Sequence, residues 1–265
     1  MTLCVSLRVP DGVIAAVDSL ATAIETIQIK AEVKGACPHC GKDIELHDVG
    51  LPNISRPAAT SETALKMQSL TSQCAATHFG IEYLNGKSVY RQLKGFNRRE
   101  SERVKTCKEA AEALLGYLDG EFRAEGHDMA SLPDEAFILG VQVSGYDNSD
   151  ELAGHTYVVR IGKVSRIDHY TDAGCTISGD REVVIKLWEE GKEGLSVPRP
   201  SWSGLSVQDA IDYADFLIRT TADYQRFAPV LPTVGGPVDI ALVTQYGGFR
   251  WIRRKELVKL LEEER

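Results

Sequence analysis

The residue whose type most clearly suggests catalysis is the second residue of the chain. Thr2 is small enough for an aminopeptidase to remove Met1, which would leave the threonine with a free α-amine. An N-terminal threonine carries its own base, because an amine with a pKa of about 8 can accept the hydroxyl proton. Many proteins begin with Met-Thr, so the residue type alone leaves the question open. The neighbouring residues decide whether Thr2 is a candidate nucleophile.

The stretch 2–22 places a carboxylate at an informative distance from Thr2. Asp18 stands sixteen residues after Thr2, within the run GVIAAVDSLAT that follows a Pro-Asp-Gly turn. This stretch resembles the start of proteasome-type β-subunits, which are N-terminal nucleophile hydrolases. In that family a Thr opens a strand, a glycine turn follows, and an Asp lies at the same distance. Leu20 stands where the family often has Arg. The most similar branches are bacterial: the ancestral β-subunit group and the heat-shock peptidase subunit.

Two lysines compete for the family's next landmark. Lys34 lies sixteen residues beyond Asp18, where the family has its lysine, but its surroundings (EVKGACPHC) do not match. Lys66 precedes Gly80 by fourteen residues, and the family's lysine precedes its oxyanion-hole glycine by the same distance. Choosing Lys66 implies an insertion of 32 residues. The region 28–59 is polar and turn-rich, which independently indicates an insertion with a hairpin of its own.

The resemblance implies a role for each of these residues. Thr2 Oγ attacks a peptide carbonyl and forms an acyl-enzyme. Lys66, held near Thr2 by Asp18, lowers the pKa of the amine and of the hydroxyl. The Gly80 amide stabilises the oxyanion. Ser178, in a stretch that resembles the family's Gly-Ser-Gly element, helps to orient the amine or its water.

Several of these residues have structural interpretations that the sequence leaves open. Asp18 could be a buried acceptor in a turn, Lys66 a solvated helix residue, and Ser178 the N-cap of the helix that follows it. Asp223 occupies the region of a later catalytic Asp of the family, but Arg226 stands where the family has a Ser.

The same register suggests a lining for the specificity pocket. The five residues that it places there are mostly polar, which is too little to name a preferred substrate side chain. They are Ala21, Ala64, Gln68, His78 and Glu82.

A Cys-Pro-His-Cys-Gly motif inside the insertion resembles a zinc-ribbon knuckle. Cys37 and Cys40 would supply two thiolates, and a closed structural zinc site needs four ligands. His47 is a candidate third ligand. A further ligand would have to come from His39, from a distant residue or from a neighbouring subunit. The alternative is a knuckle that has lost its metal and persists as a hairpin, and in either case no catalytic cofactor is expected.

Composition narrows the class of protein. With 265 residues, 43% of them apolar, the chain can bury an ordinary core. A net charge of −8 argues against a nucleic-acid or anionic-membrane partner. No apolar run approaches the roughly 18 residues that span a bilayer, and no secretory signal precedes the first strand. We therefore expect a cytoplasmic protein.

Periodicity predicts strands at both ends of the chain and helices in the middle. The residues at 3, 5, 7 and 9 alternate as in a strand, whereas 13–21 is almost continuously apolar, as in a strand buried on both faces. Helices are predicted at 101–124 after Ser101, at 180–190, and at 206–227 after a Ser-x-x-Asp capping box. Further strands are predicted at 136–143, 155–170 and 238–252.

These patterns predict two sheets between helix layers in an α+β class, and the resemblance implies a four-layer αββα sandwich. The leading interpretation is a single domain, 1–265, that acts as an N-terminal threonine peptidase on peptides or unfolded proteins. The resemblance implies a homo-oligomeric ring or related assembly and raises the question of an ATPase partner. The alternatives are a small-molecule amidohydrolase of the same fold and an inactive structural subunit that retains Met1.

Overall fold

The structure is a computed structural model, which describes residues 2–27, 30–36, 39–40, 43–50, 54–100, 102–126, 133–147, 153–189 and 199–256. The chain separates into two compact units. One comprises Met1–Ala21 with Ser61–Arg265, and the other is Thr22–Thr60. The region 28–59, predicted as an insertion, falls within the second unit.

The described part of the chain contains sixteen short strands, which together hold more residues than its helices do. They are β1 (Leu3–Val9), β2 (Gly12–Val17), β3 (Ala21–Ile27), β4 (Lys30–Ala36), β5 (Asp43–Gly50), β6 (Ile54–Ser61), β7 (Met67–Thr71), β8 (Cys74–Gly80), β9 (Tyr83–Leu84), β10 (Lys87–Ser88), β11 (Phe137–Gly145), β12 (His155–Gly162), β13 (Arg166–Tyr170), β14 (Gly174–Gly179), β15 (Asp239–Thr244) and β16 (Gly248–Arg253).

Four α-helices connect or follow these strands in the described part of the chain. They are α1 (Val89–Glu100), α2 (Cys107–Ala124), α3 (Glu182–Trp188) and α4 (Val207–Phe227).

The first unit contains two five-stranded sheets. One has the order β14-β1-β2-β15-β16 and the other the order β13-β12-β11-β8-β7. Neighbouring strands are antiparallel in both sheets. The α+β class is therefore confirmed.

The central strands explain the sequence patterns at the start of the chain. Every residue of β2 is buried, because alternate side chains pack into two different hydrophobic clusters on its two faces. In β1 the residues at 3, 5, 7 and 9 join the cluster under α4. Cys4 lies on the opposite face, in the cluster between the sheets. Asp18 comes directly after β2, at the end of the strand.

Three hydrophobic clusters hold the first unit together. The first lies between α1, α2 and the sheet that contains β8 and β11. The second lies between α4 and the sheet that contains β1 and β2, with Val184 of α3 included. The third joins the inner faces of the two sheets. Burial of such side chains is worth roughly 1.5–3 kcal/mol each, so these clusters fix how the strand ends meet.

The helix boundaries confirm some predictions and correct others. Ser206 caps α4 as predicted, accepting a hydrogen bond from the Asp209 amide while the Asp209 side chain accepts one from the Ser206 amide. The prediction that Ser101 is the N-cap of the second helix is wrong. Helix α2 begins at Cys107, and its N-cap is Thr106, which forms a capping box with Glu109. Helix α1 was not predicted at all.

The second unit consists of short strand pairs in its described part. There, β3 pairs with β6 and β4 pairs with β5 in separate two-stranded sheets. Among the helices that the structure describes, none is both long enough and apolar enough to cross a membrane.

Candidate active site

Three side chains predicted to act together meet at one end of the two sheets. The Lys66 Nζ atom lies 2.6 Å from Thr2 Oγ1 and 3.4 Å from Asp18 Oδ2. All three residues are completely buried. Lys66 Nζ also donates a short hydrogen bond to the Leu20 carbonyl oxygen. Thr2, Asp18 and Leu20 thus supply three acceptors, which matches the three N–H bonds of an ammonium group.

This geometry decides between the interpretations of Lys66. The interpretation of Lys66 as a solvated helix residue is wrong, because Lys66 is buried and directly precedes β7. Its backbone is held by β8, since the His78 amide donates to the Lys66 carbonyl at 3.1 Å. The rival Lys34 lies in β4 of the second unit, and its side chain lies outside the described part of the structure.

Asp18 is anchored by the backbone as well as by Lys66. Its carboxylate accepts hydrogen bonds from the Leu3 and Leu20 amides at 3.0 Å and from the Gly235 amide at 3.2 Å. Burial raises the pKa of Asp18 above its ordinary value, against the opposing effects of the Lys66 charge and these three amides. Asp18 is therefore both a buried turn acceptor and the partner of Lys66, so its two interpretations coexist.

A second carboxylate lies beside Lys66. Glu82 Oε1 is 3.8 Å from Lys66 Nζ, and Glu82 Oε2 is 3.3 Å from His78 Nε2. Burial acts to raise the pKa of Glu82, but the His78 hydrogen bond and the charges of His78 and Lys66 outweigh it and lower the pKa. Glu82 is 25% exposed, so one anionic group beside Lys66 is accessible to solvent.

The other predicted lining residues also lie near this centre. The Ala64 amide donates to the Ser19 carbonyl at 3.0 Å, and Ala21 follows the residue whose carbonyl accepts from Lys66. Gln68 lies in β7, two residues after Lys66. Two buried polar atoms here, Gln68 Nε2 and His78 Nδ1, have no hydrogen-bond partner among the described residues. They could therefore bond to a ligand or to water.

Ser178 lies in β14 beside the start of β1, paired with Cys4. Its Oγ accepts a hydrogen bond from Gln142 Nε2 at 2.8 Å. The N-cap interpretation of Ser178 is wrong, because the N-cap of α3 is Arg181, whose side chain makes no capping bond. Ser178 is thus in the strand next to Thr2, but the structure joins its hydroxyl to Gln142 instead of to Thr2.

Backbone contacts fix Thr2 against β14. The Asp180 amide donates to the Thr2 carbonyl at 2.8 Å. At Gly179, φ is +85°, and an added Cβ would lie 1.7 Å from the Thr2 carbonyl oxygen. Only glycine allows this approach. The same Cβ would be 3.4 Å from Phe79 Cβ, so the end of β8 lies beside Thr2.

Gly80 follows Phe79 at this strand end. Its φ of +101° and the proximity of the Ile138 carbonyl, 2.2 Å from an added Cβ, require glycine here. The predicted oxyanion glycine is therefore held in a conformation that other residues adopt only with strain.

The structure does not bring Asp223 to this centre. Its side chain is exposed on α4, and no hydrogen bond or ion pair within the described residues joins it to Thr2 or Lys66. Gln225, two residues further on, is buried and donates to Asp180 Oδ2 at 2.8 Å. Thr233 also donates a short hydrogen bond to Asp180. No local pattern in the sequence predicts this network, because its members are far apart in the chain.

The predicted metal ligands lie in the second unit. Cys37 is outside the described residues, and the side chain of His47 in β5 is not described. Cys40 is exposed and forms no disulfide. Within the described ranges, no group of three or more His, Cys, Asp or Glu side chains could hold a metal ion. The zinc knuckle therefore stays a prediction.

The centre combines a hydroxyl, a buried cation that donates to it, and a carboxylate that holds the cation. A lysine that donates to Thr2 Oγ1 stabilises negative charge on that oxygen, but it does not remove the hydroxyl proton. Acyl transfer here requires a separate base. Comparison of the chain with protein-family models and with curated proteins finds no match.

Proposed function

We propose that this protein is an N-terminal threonine peptidase that cuts peptide bonds through an acyl-enzyme on Thr2. The observation that carries the proposal is the 2.6 Å hydrogen bond from Lys66 Nζ to Thr2 Oγ1, with Asp18 on the same nitrogen. These three residues are the ones that the sequence's resemblance to proteasome-type β-subunits, with its residue spacing, predicts to act together. Their meeting in a fully buried cluster supports the interpretation.

The packing of the first unit supports the finer fold assignment. One helix pair covers each sheet, and the third hydrophobic cluster joins the two sheets. This order of layers is that of the four-layer αββα sandwich implied by the resemblance to proteasome-type β-subunits. We propose that the chain has the N-terminal nucleophile hydrolase fold, with residues 28–59 inserted into it.

The proposed reaction starts when Met1 is removed and the Thr2 α-amine becomes free. The amine takes the hydroxyl proton as Oγ bonds to the substrate carbonyl carbon. It then returns that proton to the leaving nitrogen as the C–N bond breaks, which leaves an ester on Thr2. A water molecule attacks this ester, its proton passing through the amine to Thr2 Oγ. The amine fragment leaves when the C–N bond breaks, and hydrolysis of the ester releases the carboxylic acid and regenerates Thr2.

Lys66 and Gly80 have complementary roles in this reaction. The Lys66 charge lowers the pKa of the Thr2 hydroxyl, because it favours the ionised oxygen. The amide of Gly80, at the strand end beside Thr2, would donate to the tetrahedral oxyanion. Removal of one such donor typically costs about 3 kcal/mol of transition-state stabilisation. Ser178 would help to order the amine or its water.

Thr2→Ala tests the nucleophile directly. Alanine still permits Met1 removal, so the change deletes only the hydroxyl and methyl groups. We expect peptide hydrolysis to fall by at least about three orders of magnitude, and an electrophilic peptide probe to label wild type on Thr2 but not this variant. Thr2→Ser should keep labelling.

Two lysine variants serve as test and control. Lys66→Ala should be unlabelled, whereas Lys34→Ala should be labelled like wild type. Wild-type turnover in Thr2→Ala, or a requirement for Lys34 instead of Lys66, would refute the assignment.

One observation favours a second candidate, a structural subunit that keeps Met1. The Thr2 side chain has no exposed surface in this structure. Intact-mass analysis separates the two functions, because loss of one methionine is required for the peptidase and is absent from the structural subunit.

The remaining expectations follow from the proposed family. Substrates would be peptides or unfolded chains, and the protein would act as a cytoplasmic homo-oligomer. Native mass spectrometry of the purified protein measures the assembly.

A further inference from the structure

Helix α1 presents a basic face in an otherwise acidic protein. The segment 83–99 contains no Asp or Glu, although the whole chain has a net charge of −8. Four cations, Lys87, Arg91, Lys94 and Arg98, recur at intervals of four, three and four residues. Arg91, Lys94 and Arg98 thus lie on one face of α1, and Lys87 lies in β10, two residues before the helix begins.

These four side chains line a single groove of about 610 Å³, together with Leu65 and Tyr90. Lys87, Arg91 and Arg98 are exposed, and Lys94 is half-buried with its Nζ 5.6 Å from the centre of the Tyr90 ring. Within the part of the chain that the structure describes, none of the four forms an ion pair with a carboxylate. The four positive charges of the groove are therefore not paired with a carboxylate of the described residues.

The groove is joined to the candidate active site at two points. Leu65, in its wall, is the residue before Lys66. The first amide of α1, at Val89, donates to the Glu82 carbonyl at 2.9 Å. The Glu82 carboxylate in turn lies 3.8 Å from Lys66 Nζ. The groove therefore lies close to the candidate active site along the chain and through the hydrogen bond from Val89 to Glu82.

We infer that this groove binds acidic side chains of the peptide substrate, an inference that rests on the proposed peptidase function. From Arg91 to Arg98 the helical part of this face spans about 10 Å, at 1.5 Å per residue, and Lys87 adds a fourth cation just before the helix. An extended peptide covers the helical part with about four residues. Carboxylates at alternate positions of such a peptide would lie opposite successive cations. The overall negative charge of the protein disfavours a longer polyanion such as a nucleic acid.

The first experiment compares two peptide substrates that differ only in flanking residues, Asp and Glu in one and Asn and Gln in the other. We expect kcat/KM to be about five- to tenfold higher for the acidic peptide at low ionic strength, mainly through KM. The preference should fall at high salt, where exposed charges are screened. Arg91→Glu combined with Arg98→Glu should abolish or reverse it. Arg226→Glu, an exposed charge reversal on α4, is the matched control and should leave the preference unchanged.

A binding assay separates failure of the groove from failure of the peptidase. The Thr2→Ala variant is titrated with a fluorescent acidic peptide and followed by anisotropy. The groove inference alone would be overturned if the probe labels Thr2 but the protein shows neither a preference for the acidic substrate nor salt-sensitive binding of the acidic peptide. Binding of the acidic peptide to a protein that never reacts at Thr2 would refute the peptidase, and with it the substrate assignment. Tighter binding of a single-stranded oligonucleotide of equal charge would overturn the choice of ligand.

Discussion

The buried pair of Lys66 and Asp18 predicts a large thermodynamic coupling. Lys66→Met keeps most of the length of the side chain but removes its charge, which leaves the Asp18 carboxylate with only backbone donors. Both side chains have no exposed surface, and breaking such a pair by removing one partner typically costs about 3–5 kcal/mol. Asp18→Asn alone should be destabilising for the converse reason. With both changes present no charge is left unpaired, so the double variant should recover much of the loss.

A double-mutant cycle measures this coupling by urea unfolding, followed by circular dichroism. We expect a coupling free energy of a few kcal/mol, well above the roughly 0.5 kcal/mol within which independent sites add. The exposed pair Lys186 and Glu182, with Nζ to Oε1 at 2.6 Å, is the matched control, and its two substitutions should be additive. Additivity at Lys66 and Asp18 would show that the two groups do not interact in solution, and the reasoning about the site would fail.

Three further predictions concern the surroundings of the site and the second unit. Gly179→Ala should lower the free energy of unfolding by about 3 kcal/mol or more, because an added Cβ overlaps a backbone oxygen. The control Gly116→Ala in α2 adds a Cβ that meets nothing within 4 Å, so it should be neutral or stabilising. Equal urea midpoints for the two variants would contradict this prediction. The lowered pKa of Glu82 means that its ionised form stabilises the fold above about pH 4.3, and this contribution is lost as pH falls through the folded-state pKa. The stability difference between wild type and Glu82→Gln should therefore shrink in acid, and a pH-independent difference would count against it. Metal analysis should find zinc in wild type and not in Cys37→Ser with Cys40→Ser, and equal near-zero zinc in both would end the knuckle hypothesis.

Local patterns were enough to predict the elements that carry the candidate nucleophile. The apolar run of β2 and the polar break at Asp18 lie in adjacent residues, and the capping box of α4 spans only Ser206 to Asp209. Helix α1 was missed because its core contacts, at Val89, Leu93 and Phe96, are outnumbered by basic residues and interrupted by a glycine. Its apolar spacing of four and three was nevertheless a readable signal.

The parts of the site that depend on long-range contacts were harder to predict. The resemblance places Ser178 in a Gly-Ser-Gly element before a helix, but the strand β14 that contains it is not predicted, and its bond to Gln142 crosses from one sheet to the other. The network of Asp180, Gln225 and Thr233 joins a strand end, a helix and a loop, and no local pattern relates them. The prediction of Asp223 depends on where the family's later Asp falls along α4. Asp223 is exposed, whereas Gln225, two residues further on, is buried.

The contact between Ser19 and Ala64 has a consequence for folding kinetics. Asp18 and Lys66 are separated by 48 residues in the chain, and the Ala64 amide bonds to the Ser19 carbonyl at 3.0 Å just beside them. Once this contact forms, the loop that remains to be closed is only a few residues long. Each halving of a flexible loop lowers its closure entropy cost by about 0.6 kcal/mol, so shortening from 48 residues to a few saves about 2 kcal/mol. The ion pair can therefore form late and quickly once this contact exists, and the length of the segment 28–59 should affect formation of the contact between Ser19 and Ala64 instead of the step that follows it.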